Sequence, residues 1–190
     1  MQMRWLVLAA VLAVAGLSLR AADSALDSAN AKLDRIKDEK TRPGEIILFT
    51  PAEVNAWSRD EVPKEVPQGI REPKVALGNG TATGSALVDF LKMEQGRGKT
   101  PGRLMSKMLE GERPLKVSVS MTSGGGKATV SLTRVELSEA ALEGTILDFL
   151  IKTFFLPLYP DAKIGEPFEL DYNIDRIELR PDGVRVTMKR

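Results

Sequence analysis

The segment from Gly144 to Pro160 limits the folds open to this chain more than any other. Thr145-Ile-Leu-Asp-Phe-Leu-Ile-Lys-Thr-Phe-Phe-Leu156 reads as one helix, stopped by Pro157 and Pro160, because proline cannot continue the hydrogen-bond ladder. At about 100° per residue, Ile146, Leu147, Phe149, Leu150, Ile151, Phe154 and Phe155 sweep well over half of the circumference, whereas packing on one sheet needs a stripe roughly 100° wide. Thr145, Asp148 and Lys152 mark a wet edge, with Asp148 and Lys152 spaced as a helical surface pair. Such a helix has apolar surface to spare. Either a sheet curls round it, or a ligand or partner covers the remainder.

The residue inventory removes most of the chemistry that could compete with that reading. The chain has no cysteine and no histidine. Thiol nucleophiles, disulfides, Ser-His-Asp triads, histidine acid–base catalysis and the usual zinc sites are therefore excluded together. The 27 Lys+Arg against 26 Asp+Glu leave no basic excess, and with only 5% aromatic residues a nucleic-acid surface has neither its charge nor its stacking groups. The expected role is non-enzymatic, with no cofactor and no metal.

Met1 to Arg4 is a short basic start followed by an uncharged run from Trp5 to Leu19, the pattern of an export signal. As a helix the run reaches about 22 Å at ~1.5 Å per residue, short of the roughly 30 Å hydrocarbon core. Flanking Arg4 and Arg20 can snorkel, so residues 1–21 are a cleaved signal or a retained membrane anchor. Both place the body outside the cytoplasm, in the periplasm or secreted. Ala22, Leu26, Ala29, Leu33 and Ile36 then recur at helical spacing amid polar residues, which predicts an amphipathic stalk over residues 22–42. Arg42-Pro43-Gly44 closes it, and residues 43–190 form the domain.

Within the domain, Glu45-Ile-Ile-Leu-Phe49 reads as a strand. Thr50-Pro51-Ala52-Glu53 is a capping box opening a short helix with Val54 and Trp57. Pro63, Pro67 and Pro73 predict an extended connection beyond it. Asn79-Gly80 marks a hairpin whose second strand carries Ala82, Gly84, Ala86, Val88 and Phe90 on one face. Gly98-Lys99-Thr100 lacks the setting of a phosphate loop, since Met93 stands where the first glycine belongs. Thr100-Pro101 opens a helix with Leu104, Met105, Met108 and Leu109 on one face, a core helix or a lid over an apolar cavity. Leu115 to Met121 and Ala128 to Leu132 alternate about Gly124-Gly125-Gly126 as a half-buried hairpin. A last hairpin turns at Pro181-Asp182-Gly183. Its alternation slips near Asp175, suggesting a bulge, and Asp171, Asp175 and Glu178 read as a solvated face.

These elements predict an α+β fold, a long curved antiparallel sheet of six or seven strands wrapped around the apolar C-terminal helix. Phe49-Thr-Pro-Ala-Glu-Val-Asn-Ala-Trp57, Val75-Ala-Leu-Gly-Asn-Gly-Thr-Ala-Thr-Gly84 with Val88-Asp89-Phe90, and Leu179-Arg-Pro-Asp-Gly-Val184 resemble segments of bacterial, membrane-tethered lipid-binding domains related to the TULIP (tubular lipid-binding) superfamily, including the LmeA-like phospholipid-binding group. The resemblance implies an elongated roll whose sheet and helix line an apolar tunnel or groove. The expectation is a carrier or sensor of a lipid or other apolar molecule. Its ligand-binding residues would be Val88, Phe90, Leu104, Met105, Met108, Leu147, Leu150, Ile151, Phe154 and Phe155. The alternative is a ligand-free structural or protein-interaction module of the cell envelope, its helix consumed by core packing.

Overall fold

The computed structural model of the chain describes residues 23–65, 69–96, 110–152 and 164–190. Its first element, α1 (residues 23–37), carries the Ala29-Leu33-Ile36 stripe, and that stripe is covered. Ala29 is 1% and Ile36 4% exposed, and Ile36 packs with Leu33 against Ile47, Phe49, Val186 and Met188. The segment expected to be a stalk is therefore part of the folded body. Its apolar residues close one face of a small sheet that would otherwise meet water.

That sheet has three antiparallel strands in the order β1 (Ile46–Phe49), β9 (Gly183–Met188) and β8 (Ile174–Arg180). Ile47 pairs with Val186 and Phe49 with Val184, while Ile177 and Leu179 lie opposite the same two valines on the other side, so one face is continuously apolar. The register shifts between Ile174 and Arg176, the bulge that the slipping alternation at Asp175 indicates. The Asp175 and Glu178 carboxylates meet, among the described residues, neighbouring Arg176 and Arg180, at 3.7 and 3.4 Å. Among the described residues, no three His, Cys, Asp or Glu stand as a metal cluster.

The capping box forms as read. The Glu53 N–H donates to the Thr50 hydroxyl at 3.3 Å, and the Glu53 carboxylate accepts from the Thr50 N–H at 2.7 Å. It opens α2 (Pro51–Glu65), which is longer than the prolines suggest: Pro63 lies within the helix near its end, where it costs a single donor. Glu53 also reaches back to α1, accepting from Ser28 Oγ at 2.5 Å and Lys32 Nζ at 2.6 Å.

The second sheet is larger. β2 (Ile70–Gly78), β3 (Thr81–Val88), β4 (Arg113–Gly124), β5 (Lys127–Leu137) and β6 (Ala140–Ala141) follow one another in chain order, and β7 (Pro167–Glu169) pairs with the other end of β5. Asn79-Gly80 makes the first hairpin, and Gly125 and Gly126, both at positive φ (62° and 76°), make the second as a two-residue turn. The α+β class and antiparallel pairing are as expected. The strands nevertheless divide into two sheets where one continuous sheet was anticipated. The physical reason lies in the chain ends: β1 and β9 satisfy each other, and β8 offers its free edge to hairpin tips instead of to another strand.

Among the described residues, hydrogen bonds at three places join the sheets. Gly80 N–H donates to the Leu179 carbonyl at 2.9 Å and Gly126 N–H to that of Asp175 at 2.8 Å. Between them Ser123 Oγ accepts from Ile177 N–H at 2.8 Å and donates to the Ile177 carbonyl at 2.5 Å. One hydroxyl thus completes both backbone groups of an edge residue, which would otherwise be open to another strand. Asn55 on α2 does the same for β2, its amide accepting from Val75 N–H at 2.8 Å and donating to the Val75 carbonyl at 2.9 Å.

Candidate apolar binding face

The registers of the larger sheet align four strands into rows. Leu77, Ala82, Val119 and Leu132 form one row, Val75, Gly84, Val117 and Val135 the next, then Ala86, Leu115 and Leu137, and finally Ile70, Val88 and Arg113. Simple alternation would put Leu132 and Val135 on opposite faces. A register shift between Ser118 and Val119 inserts Thr133 as an extra residue and returns both to the same side. A second shift, between Arg71 and Lys74, places Glu72 at φ 52° and keeps Ile70 in step with Val75.

The opposite face is polar. Thr83 and Ser118 share a 2.9 Å hydrogen bond across β3 and β4, and Lys116 lies 3.9 Å from Glu136. The apolar face is therefore the one that must be covered, and it is covered unevenly. Val88 and Val135 are buried, but Val75, Leu77, Ala82, Leu115, Val117, Val119, Leu132 and Leu137 are each only half-buried. In a closed core such residues lose nearly all contact with water.

Closure comes at one end. β3 stops at Val88, and Asp89 caps α3 (Phe90–Gly96), its carboxylate accepting from Lys92 N–H at 3.0 Å and facing Lys92 Nζ at 3.2 Å. Phe90 consequently belongs to a helix and not to the strand face proposed for it. Gly69 makes the approach possible, since a Cβ there would strike Met93 and the Asp89 carbonyl. Phe90 and Met93 then pack with Val88 and with Leu150 of α4 (Gly144–Leu150), joined by half-buried Ile70, Leu115, Leu137, Leu142 and Phe149.

α4 is the described part of the greasy segment, and Ile151 and Lys152 continue it with a wider turn. Leu150 is its buried residue at 9% exposure, Leu147 and Ile151 are half-buried, and Ile146 is 51% exposed. Asp148 and Lys152 are both exposed and do not form the surface pair their spacing suggests.

Of the expected ligand-binding residues, Val88, Phe90 and Leu150 come together in one cluster, with Leu147 and Ile151 on the same helical segment. Leu104, Met105, Met108, Phe154 and Phe155 lie outside the described residues, as do the Gly98-Lys99-Thr100 loop and the signal or anchor over residues 1–21. Met93, Leu137 and Leu142 were not anticipated. Met93 stands three residues after Phe90, a helical spacing hidden by reading Phe90 as strand. No helix among the described residues is long and apolar enough to cross a membrane. Comparisons with protein-family models, curated proteins and solved structures return no match.

Proposed function

We propose that this chain is a non-catalytic binding protein for a lipid or another apolar molecule, of the kind implied by the resemblance to tubular lipid-binding domains. It works outside the cytoplasm, held at the membrane by Trp5 to Leu19 where that segment is retained. The observation that carries the reading is the half-buried apolar face: rows of valine, leucine and alanine across four strands, closed at one end by α3 and α4 and still in contact with water along its length. An acyl chain laid on such a face gains about 0.8 kcal/mol per buried CH₂ without special polar chemistry. Histidine and cysteine chemistry is absent, and carboxylates such as Glu53 and Asp89 are engaged in capping.

Uptake of a fluorescent long-chain fatty acid tests this. The parent protein should bind it saturably. Val117→Asp, a charge set in the middle of the face, should abolish uptake while far-UV circular dichroism is retained. Ile46→Asp, on the outward side of the small sheet where Ile46 is 63% exposed, should leave uptake unchanged. Failure of the parent protein to bind would favour the protein-interaction reading, which that exposed Ile46 and its neighbour Leu48 on the same face support.

A further inference from the structure

Arg113 occupies an unusual place on the apolar face. It begins β4, pairs across the sheet with Val88, and so stands on the same side as the best-buried residue of the cluster formed with Phe90, Met93 and Leu150. Directly opposed residues on one sheet face have Cβ atoms roughly 5 Å apart, so the arginine stem must run over this apolar group. The side chain is half-buried, and its Nε is fully shielded from solvent without a hydrogen-bond partner.

Nearby carboxylates do not serve it. Glu112, its neighbour in the chain, faces Arg71 at 3.0 Å, and Asp89, which follows Val88, holds Lys92. Arg113 therefore forms no ion pair with a described carboxylate. A guanidinium cannot shed its charge at any ordinary pH, and a shielded Nε without an acceptor leaves that charge uncompensated, so the position favours an anion arriving from outside and meeting the terminal nitrogens, which are not among the shielded, unpartnered atoms. Acceptors of matching geometry are carboxylate and phosphate oxygens.

The rows of the face lead away from this charge. From Arg113 to Met121 along β4, half-buried Leu115, Val117 and Val119 extend the surface for about 27 Å at ~3.4 Å per residue. We infer that Arg113 binds the anionic headgroup of a lipid whose acyl chain lies along this face, so that the ligand is an anionic amphiphile and not a neutral one. The inference rests on the apolar-binding reading and adds the polarity and direction of the ligand to it.

The test compares a long-chain fatty acid with the alcohol of equal chain length, and with acetate, as competitors for the fluorescent probe on the full chain. The acid should bind about tenfold more tightly than the alcohol, the scale of one charge-assisted hydrogen bond, and acetate should not compete. Arg113→Gln should remove the preference, bringing the acid's affinity down to that of the alcohol, while Arg113→Lys should keep part of it. Equal binding of acid and alcohol to the parent protein would overturn the inference without touching the apolar-binding reading, and it needs no variant to fold. A preference that survives in Arg113→Gln would overturn it too. If neither long-chain compound binds, the apolar-binding reading itself fails and takes this assignment with it.

Discussion

Lys32 and Glu53, 21 residues apart in the chain, meet at 2.6 Å and fasten α1 to the corner between β1 and α2. The same ammonium donates to the Leu48 carbonyl at 2.8 Å and lies 5.6 Å from the centre of the Phe49 ring, so one side chain holds three parts of that corner. Burial would push the Glu53 carboxyl up. Hydrogen bonds from Lys32, Ser28 and the Thr50 N–H, with the Lys32 charge, outweigh it and hold the group at about 2.

A carboxyl depressed from 4.5 to about 2 adds stability that is fully present above the unfolded value and disappears as pH falls through the folded one. Urea unfolding followed between pH of about 5 and 2 should therefore lose roughly 3 kcal/mol attributable to this group. Glu53→Gln should be less stable at neutral pH and should flatten that acid slope. Lys32→Met should cost about 2 kcal/mol, below the 3–5 of a wholly buried pair because Lys32 keeps some contact with water.

Ser123 and Asn55 each complete the backbone of one strand residue, Ile177 and Val75. Removing either leaves an N–H and a carbonyl without their partner, so Ser123→Ala and Asn55→Ala should each cost about 1–3 kcal/mol. The two sites share no residue, and the double variant should be additive within about 0.5 kcal/mol in chemical denaturation.

Gly183 turns the last hairpin at φ 145°, and a Cβ there would fall on the Phe49 carbonyl where β1 meets β9. Gly183→Ala should cost about 2 kcal/mol or more, because neither the backbone angle nor the space suits a side chain. Gly124→Ala, with open space around it and no positive φ, is the control and should stay within about 0.5 kcal/mol. Thermal melts of both variants decide this.

Residues of α4 should separate packing from binding. Leu150 is buried against Val88, Phe90 and Met93, so Leu150→Ala should cost about 2–5 kcal/mol. Ile146 is half exposed, and Ile146→Ala should change stability by less than about 0.5 kcal/mol. Fatty-acid uptake measured on Ile146→Ala should weaken if the outer side of this helix meets ligand.

Local chemistry was readable in the chain, and long-range partnership was not. The Thr50-Pro51-Ala52-Glu53 cap, the Asn79-Gly80 and Gly125-Gly126 turns and the Asp175 bulge each rest on residues within a few positions of one another, where side-chain type dictates backbone shape. The packing of α1 rests on Ser28 and Lys32 finding Glu53, and periodicity cannot reveal what a helix stripe faces. The division into two sheets depends on Ser123 meeting Ile177, 54 residues away. Thr133 was a nearer miss: Leu132 and Val135 stand three apart in an otherwise alternating strand, a spacing that marks a bulge. The candidate site was legible as apolar residues and only partly as a surface. Arg113 has no signature in sequence, because its isolation depends on where Glu112 and Asp89 turn.

Native mass spectrometry of the protein, extracted gently from membranes, addresses the apolar-binding account most directly. The account predicts a population carrying one lipid-sized adduct that organic extraction releases, and that Val117→Asp lacks. A clean mass equal to the bare chain, with no extractable lipid and no uptake of added fatty acid, would contradict it.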